Sequence, residues 1–122
     1  MPTAPWILAV VQDLMFTVQI SDLAKRGGFT VRYVRQTGDA LAQAAEQPDL
    51  VLIDLNIAGL DTVDLIRQLK AARPAQPVAA YVSHVQVELR RGAAEAGADP
   101  VLPRSAFATK LPLLLQTLAP PA

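Results

Sequence analysis

Short apolar runs alternate along this chain with longer stretches in which apolar positions recur every third or fourth residue. Trp6-Ile7-Leu8-Ala9-Val10-Val11 is apolar throughout, as a strand covered on both faces of a parallel sheet must be. Phe16 to Lys25 predicts a helix with Val18, Ile20 and Leu23 turned inward. Gly27-Gly28 closes it, because glycine accepts the left-handed backbone found at helix C-termini. Phe29 to Val34 alternates and is β-rich, so it predicts a strand with one wetter face, at a sheet edge. Asp39 to Glu46 predicts a short alanine-rich helix stopped by Pro48. Asp49-Leu50-Val51-Leu52-Ile53-Asp54 is the cleanest buried strand, and it ends abruptly in a carboxylate.

Asp61 is placed to cap a helix running to about Ala72, with Asp64 in the first turn where the helix dipole favours negative charge. Val63, Leu65, Ile66 and Leu69 supply its apolar face. Pro77 to Val82 predicts a fourth strand and Val87 to Ala96 a fourth helix, closed by Gly97. Asp99 to Pro103 predicts a short fifth strand whose two prolines suit an edge. Phe107 to Leu118 predicts the last helix, with Pro112 in its first turn or at a kink, and Ala119 to Ala122 a tail. Strand–helix units in this order predict an α/β fold, a parallel sheet between two helical layers. Right-handed crossovers make the flavodoxin-like, doubly wound order 2-1-3-4-5 the expected one, formed by residues 1–122 as a single domain. In such sheets function collects at the carboxyl ends of the strands. Gln12, Asp13, Asp54, Ser83, His84 and Arg104 fall there.

Composition narrows the chemistry. Eleven basic and eleven acidic residues cancel, so no net field draws in nucleic acid, and no nucleic-acid partner is expected. Cysteine is absent, which removes disulfides, thiolate metal sites and cysteine nucleophiles. A single histidine, His84, excludes a two-histidine metal site within the chain, and a lone loop histidine is ordinarily just solvated. The start lacks a basic signal region, and Gln12 and Asp13 break the first apolar run. A cytoplasmic protein without a membrane span is therefore expected. Gly27-Gly28 follows a helix and precedes a strand, the reverse of a phosphate-binding loop, and no other enzyme motif is present. The chain is not expected to be an enzyme.

The segment Asp49 to Asp61 resembles the third strand and following loop of bacterial response regulator receiver domains, the CheY-like family. Ala58 stands where that family has the proline of a Pro-Gly-Met-Asp-Gly-like turn, and Thr62 where it has the last glycine. Ala94 to Arg104, with its Ala-Gly-Ala-Asp turn, resembles the family's run from helix 4 into strand 5. The resemblance covers nearly the whole chain. It implies that Asp54 accepts a phosphoryl group and that a magnesium ion neutralises the charge on the incoming oxygens. The ligands it implies are an acidic pair after strand 1, Asp54 itself, and the backbone carbonyl of Asn56; with waters these satisfy magnesium.

The match is uneven. The acidic pair is Gln12-Asp13, with one carboxylate, or Val11-Gln12, with none. The phosphoryl-binding hydroxyl falls on Ser83, or on Val82 if the strand is counted strictly from Pro77. Arg104 replaces the lysine, a planar fork in place of a point charge. Ser105 replaces the proline that follows a cis bond, so no cis bond is expected there, and Val101 stands in for the aromatic switch residue.

Each of these residues also has a plainer reading. Asp54 caps the next turn, Asp13 caps the first helix, Ser83 satisfies loop backbone, and Arg104 forms a static ion pair with Asp54 or Asp13 that locks the site without a ligand. Arg90-Arg91 and Lys25-Arg26 read as solvated helix faces. Three functions are consistent with the residues. The first is a pseudo-receiver acting through protein contacts, with magnesium weak or absent. The second is a regulator phosphorylated on Asp54 by a sensor histidine kinase. The third is a flavodoxin-like small-molecule binder. By resemblance the contact surface, or a homodimer interface, is the helix 4–strand 5–helix 5 face with Leu89, Val101, Phe107 and Leu111.

Overall fold

Strands with no polar face must be covered on both sides, and they are. A computed structural model describes residues 5–83 and 86–118. Its strands are β1 (Trp6–Val10), β2 (Thr30–Val34), β3 (Leu50–Asp54), β4 (Val78–Val82) and β5 (Val101–Pro103). Between and after them run α1 (Leu14–Arg26), α2 (Thr37–Ala44), α3 (Thr62–Ala72), α4 (Val87–Ala96) and α5 (Arg104–Leu118). The strands form one sheet in the order β2-β1-β3-β4-β5, all pairs parallel. The predicted topology is the observed one.

Strand periodicity splits the core in two. Leu8, Val10, Val51, Ile53, Val78, Ala80 and Val82 face α2, α3 and α4 and meet Ala40, Leu65, Ile66, Leu69 and Ala93. Ile7, Ala9, Leu50, Leu52, Ala79 and Tyr81 face the other way and meet Phe16, Ile20, Ala24, Phe107, Leu111 and Leu115 of α1 and α5. β1, β3 and β4 are buried along their whole length, whereas β2, at the edge, is half-buried at Val31 and Val34 and exposed elsewhere. Among the described residues no helix is long and apolar enough to cross a membrane.

Several expectations need correction. Val18 is 71% exposed and points away from the core, because α1 begins at Leu14 and buries Phe16, Ile20 and Ala24 instead. α2 starts at Thr37 and ends at Ala44, so Asp39 lies in its first turn rather than at its start. α5 begins directly after β5, which puts Pro112 inside the helix and not in its first turn. Phe107 and Leu111 are core residues, and Leu89 and Val101 pack half-buried against the core. Arg90 is not simply solvated: its guanidinium reaches the Val101 carbonyl at 3.4 Å. A cis bond precedes Pro100, at the start of the β5 segment. His84 and the tail 119–122 lie outside the described residues.

Gly97 ends α4 as predicted, at φ +119°, and donates its N–H to Ala93 and Ala94 carbonyls. A Cβ there would stand 2.8 Å from Lys70 Cγ. The Lys70 stem is held across that spot by its ammonium donating to the Gln76 carbonyl at 2.8 Å. Backbone strain and the clash act together. Gly97→Ala should therefore lower stability by about 1–3 kcal/mol, read from urea unfolding followed by the fluorescence of Trp6.

Candidate functional site

The strand order reverses between β1 and β3, the switch point at which doubly wound sheets form a crevice at the carboxyl ends of their strands. Gln12 and Asp13 leave β1 on one side of it, and Asp54 ends β3 on the other. β4 contributes Val82 and Ser83, and Arg104 opens α5 directly after β5. The topology thus gathers Gln12, Asp13, Asp54, Ser83 and Arg104 at one edge; His84 lies outside the described residues. They do not all do what the resemblance implies.

Asp13 uses both of its oxygens. Oδ1 accepts the N–H groups of Met15 at 2.9 Å and Phe16 at 3.2 Å and caps α1. Oδ2 accepts from Arg104 Nη2 at 2.5 Å. The Phe16 N–H, then the Arg104 guanidinium, hold the Asp13 carboxyl below its ordinary pKa. Arg104 is braced on a second side by the Phe16 ring, with its guanidinium carbon 4.8 Å from the centroid. The pair is 35–40% exposed, so solvent screens it and it adds little to stability. Its consequence is for charge and access: the only carboxylate of the Gln12-Asp13 pair is already matched.

Asp54 is nearly closed off, 7% exposed. Its Oδ1 accepts the Asn56 N–H at 2.9 Å, the turn-capping contact that an aspartate at a strand end makes. Burial pushes its carboxyl above the usual range, partly offset by the Asn56 N–H and by the charge of Arg104. Asn56 braces the rim with its side chain: Oδ1 accepts the Ser83 N–H at 2.8 Å, and Nδ2 donates to Gln86. Gln12 is turned toward the same loop and accepts from Ala58 N–H at 3.4 Å. Val82 ends β4 buried and brings no hydroxyl, while Ser83 is exposed and meets the site through its backbone.

Tyr81 is the residue that sequence reasoning missed. It is the register partner of Asp54 across β3 and β4, so both side chains rise from the same face of the sheet. Its ring stacks on Phe16 at 4.5 Å and touches Phe107 at 5.0 Å. Burial, then the nearby Asp54 charge, drive the phenol pKa upward. Among the described residues its hydroxyl is the one buried side-chain polar atom without a hydrogen-bond partner. A tyrosine one strand away from the expected aromatic position was the available signal.

A divalent ion needs several unengaged oxygen ligands. Here one Asp13 oxygen is spent on the helix cap and the other on a guanidinium, which leaves Asp54 and the Asn56 carbonyl. Among the described residues no group of three acidic or histidine side chains could close around a metal. As arranged, the residues do not fit the magnesium ion that the resemblance implies.

Two stability measurements probe this edge. Tyr81→Phe removes an orphaned hydroxyl while keeping the stacked ring, so it should be neutral or stabilising by up to ~1 kcal/mol in urea titrations. Asp54 has a raised pKa when folded, so the native state binds its proton more readily than the unfolded chain and loses stability as pH rises through that range. Asp54→Asn should raise the urea midpoint at neutral pH, and the gain should shrink as pH falls into the carboxylate range.

Comparison with known proteins agrees with this architecture. The family model of the response regulator receiver domain matches residues 7–115. The transcriptional regulatory protein ZraR of Salmonella typhimurium is 33% identical over 93 residues, 75% of this chain but 21% of its own length. The chain thus spans about a fifth of that relative. A response regulator structure from Thermotoga maritima superposes with a TM-score of 0.80 at 19% identity, covering 95% of this chain and 98% of the other. A Burkholderia pseudomallei response regulator, crystallised with a phosphorylated aspartic acid, calcium ion and citrate, gives 0.80 at 23% identity, covering 93% and 67%. With the fold, the strand order and the Asp54 edge in place, this chain belongs to the response regulator receiver domain family.

Proposed function

We propose that residues 1–122 act as one receiver-like signalling unit that works through protein–protein contacts, with a phosphoryl-acceptor site that has become degenerate. The observation that carries this reading is the Asp13–Arg104 ion pair at 2.5 Å, which closes on the one carboxylate left to assist Asp54. Magnesium assists phosphoryl transfer by neutralising charge at the incoming oxygens. A site whose acid is already neutralised by a guanidinium lends little to that step. Gln12 in place of an acid, and the buried methyls of Val82 where a hydroxyl would help, support the same reading.

The apolar surface available for contacts extends beyond the face the family resemblance implies. On the α4–β5–α5 side, Phe107 and Leu111 are committed to the core. Leu14, Met15 and Val18 of α1 are 70%, 83% and 71% exposed. Val87 of α4 and Leu113 of α5 are 58% and 54% exposed, so α1 adds apolar contact surface beside the ion pair to what the α4–β5–α5 side offers.

The second reading, phosphorylation of Asp54 by a sensor histidine kinase, keeps one supporting observation. Asp54 stands at the end of β3 in the crevice, and among the described residues its single hydrogen-bond donor leaves Oδ2 unengaged. The test is intact mass after incubation with magnesium and acetyl phosphate, with Asp54→Asn alongside and a competent receiver as control. The degenerate site is expected to take up no phosphoryl group. A single adduct that disappears in Asp54→Asn would overturn the reading and establish the second one.

A further inference from the structure

The disagreement between the acidic edge and a divalent ion has one source that a single substitution removes. Remove Arg104, and Asp13 Oδ2 is released within the crevice that also holds Asp54 and the Asn56 backbone. Two carboxylates, a carbonyl and waters meet the needs of a small hard cation. Asp13 would still cap α1 through Oδ1, so the helix start does not depend on the arginine. The guanidinium is steered from two sides, by Asp13 Oδ2 and by the Phe16 ring, and is not a side chain waving in solvent.

We propose that Arg104 is a tethered cation that takes the divalent ion's place at Asp13, so that this edge is a metal site closed by the protein's own side chain. The proposal rests on the reading of a degenerate site given above and names what makes it degenerate. It also explains why an arginine serves here. A guanidinium stays charged, sits over the Phe16 ring and reaches a carboxylate along a directed N–H, and a lysine ammonium reproduces only the charge. The positive charge has a second effect: it repels an incoming divalent ion electrostatically, in addition to occupying the oxygen.

Manganese titration, followed by the electron paramagnetic resonance of the free ion, tests this without any phosphodonor. Wild type is expected to leave the ion free. Arg104→Ala should bind it at least about ten-fold more tightly, since it both frees an oxygen and removes a like charge. Arg104→Lys should lie between the two, and Arg104→Ala with Asp54→Asn should lose the gain. Circular dichroism checks folding; should Arg104→Ala fail to fold, Arg104→Gln carries the same comparison. Wild type binding as tightly as the alanine variant would overturn the proposal. So would a folded variant that gains nothing. A phosphoryl adduct on wild type counts against the degenerate-site reading, whereas a variant that gains no metal counts against Arg104 as its cause.

Discussion

Burial of a parallel sheet on both faces is the constraint from which the rest of this molecule follows. β1, β3 and β4 have no polar face, so every residue along them must meet either α2–α3–α4 or α1–α5. Polar chemistry is thereby expelled from the strands to their ends. The backbone turns at the carboxyl ends are the places where a carboxylate can be both held and reached, and Asp54 marks that boundary as the last residue of a strand otherwise wholly apolar.

The charges at this edge are organised around Arg104. Its guanidinium joins the start of α5 to the cap of α1, with the Phe16 ring beneath it. Phe16 in turn stacks on Tyr81, the register partner of Asp54. An unbroken set of contacts therefore runs from the acidic edge into the α1–α5 core. Among the strands lining that core the aromatic comes from β4, where the family resemblance leads one to look on β5. Val101, at the β5 position, is half-buried against the opposite face of the sheet. These contacts tie the edge to the packing of α1 against α5.

Much of this was legible in the residues. The alternation of apolar runs and helical stretches specified the element order, and the right-handed crossover rule selected the sheet order. Asp61 and Gly97 marked helix ends correctly, since caps are local and depend on a few neighbouring residues. Asp13 as a cap and Arg104 as half of an ion pair were both among the readings the residues allowed. Helix starts were less legible. α1 and α5 begin two or three residues earlier than periodicity suggested: Asp13 caps α1 ahead of its first buried residue, and α5 follows β5 with no intervening loop.

The sequence by itself determined the fold class, the strand order and which residues would gather at one edge, because periodicity and chain connectivity are properties of the chain. Only the tertiary structure decided what those residues do to one another. Arg104 lies 91 residues from Asp13, and no local pattern says whether it pairs with Asp13 or Asp54. The orientation of Val18, the depth of Phe107 and the orphaned hydroxyl of Tyr81 were settled in the same way. Each depends on how a helix is rotated against the sheet and on the register of two strands, and these are set by packing over the whole core.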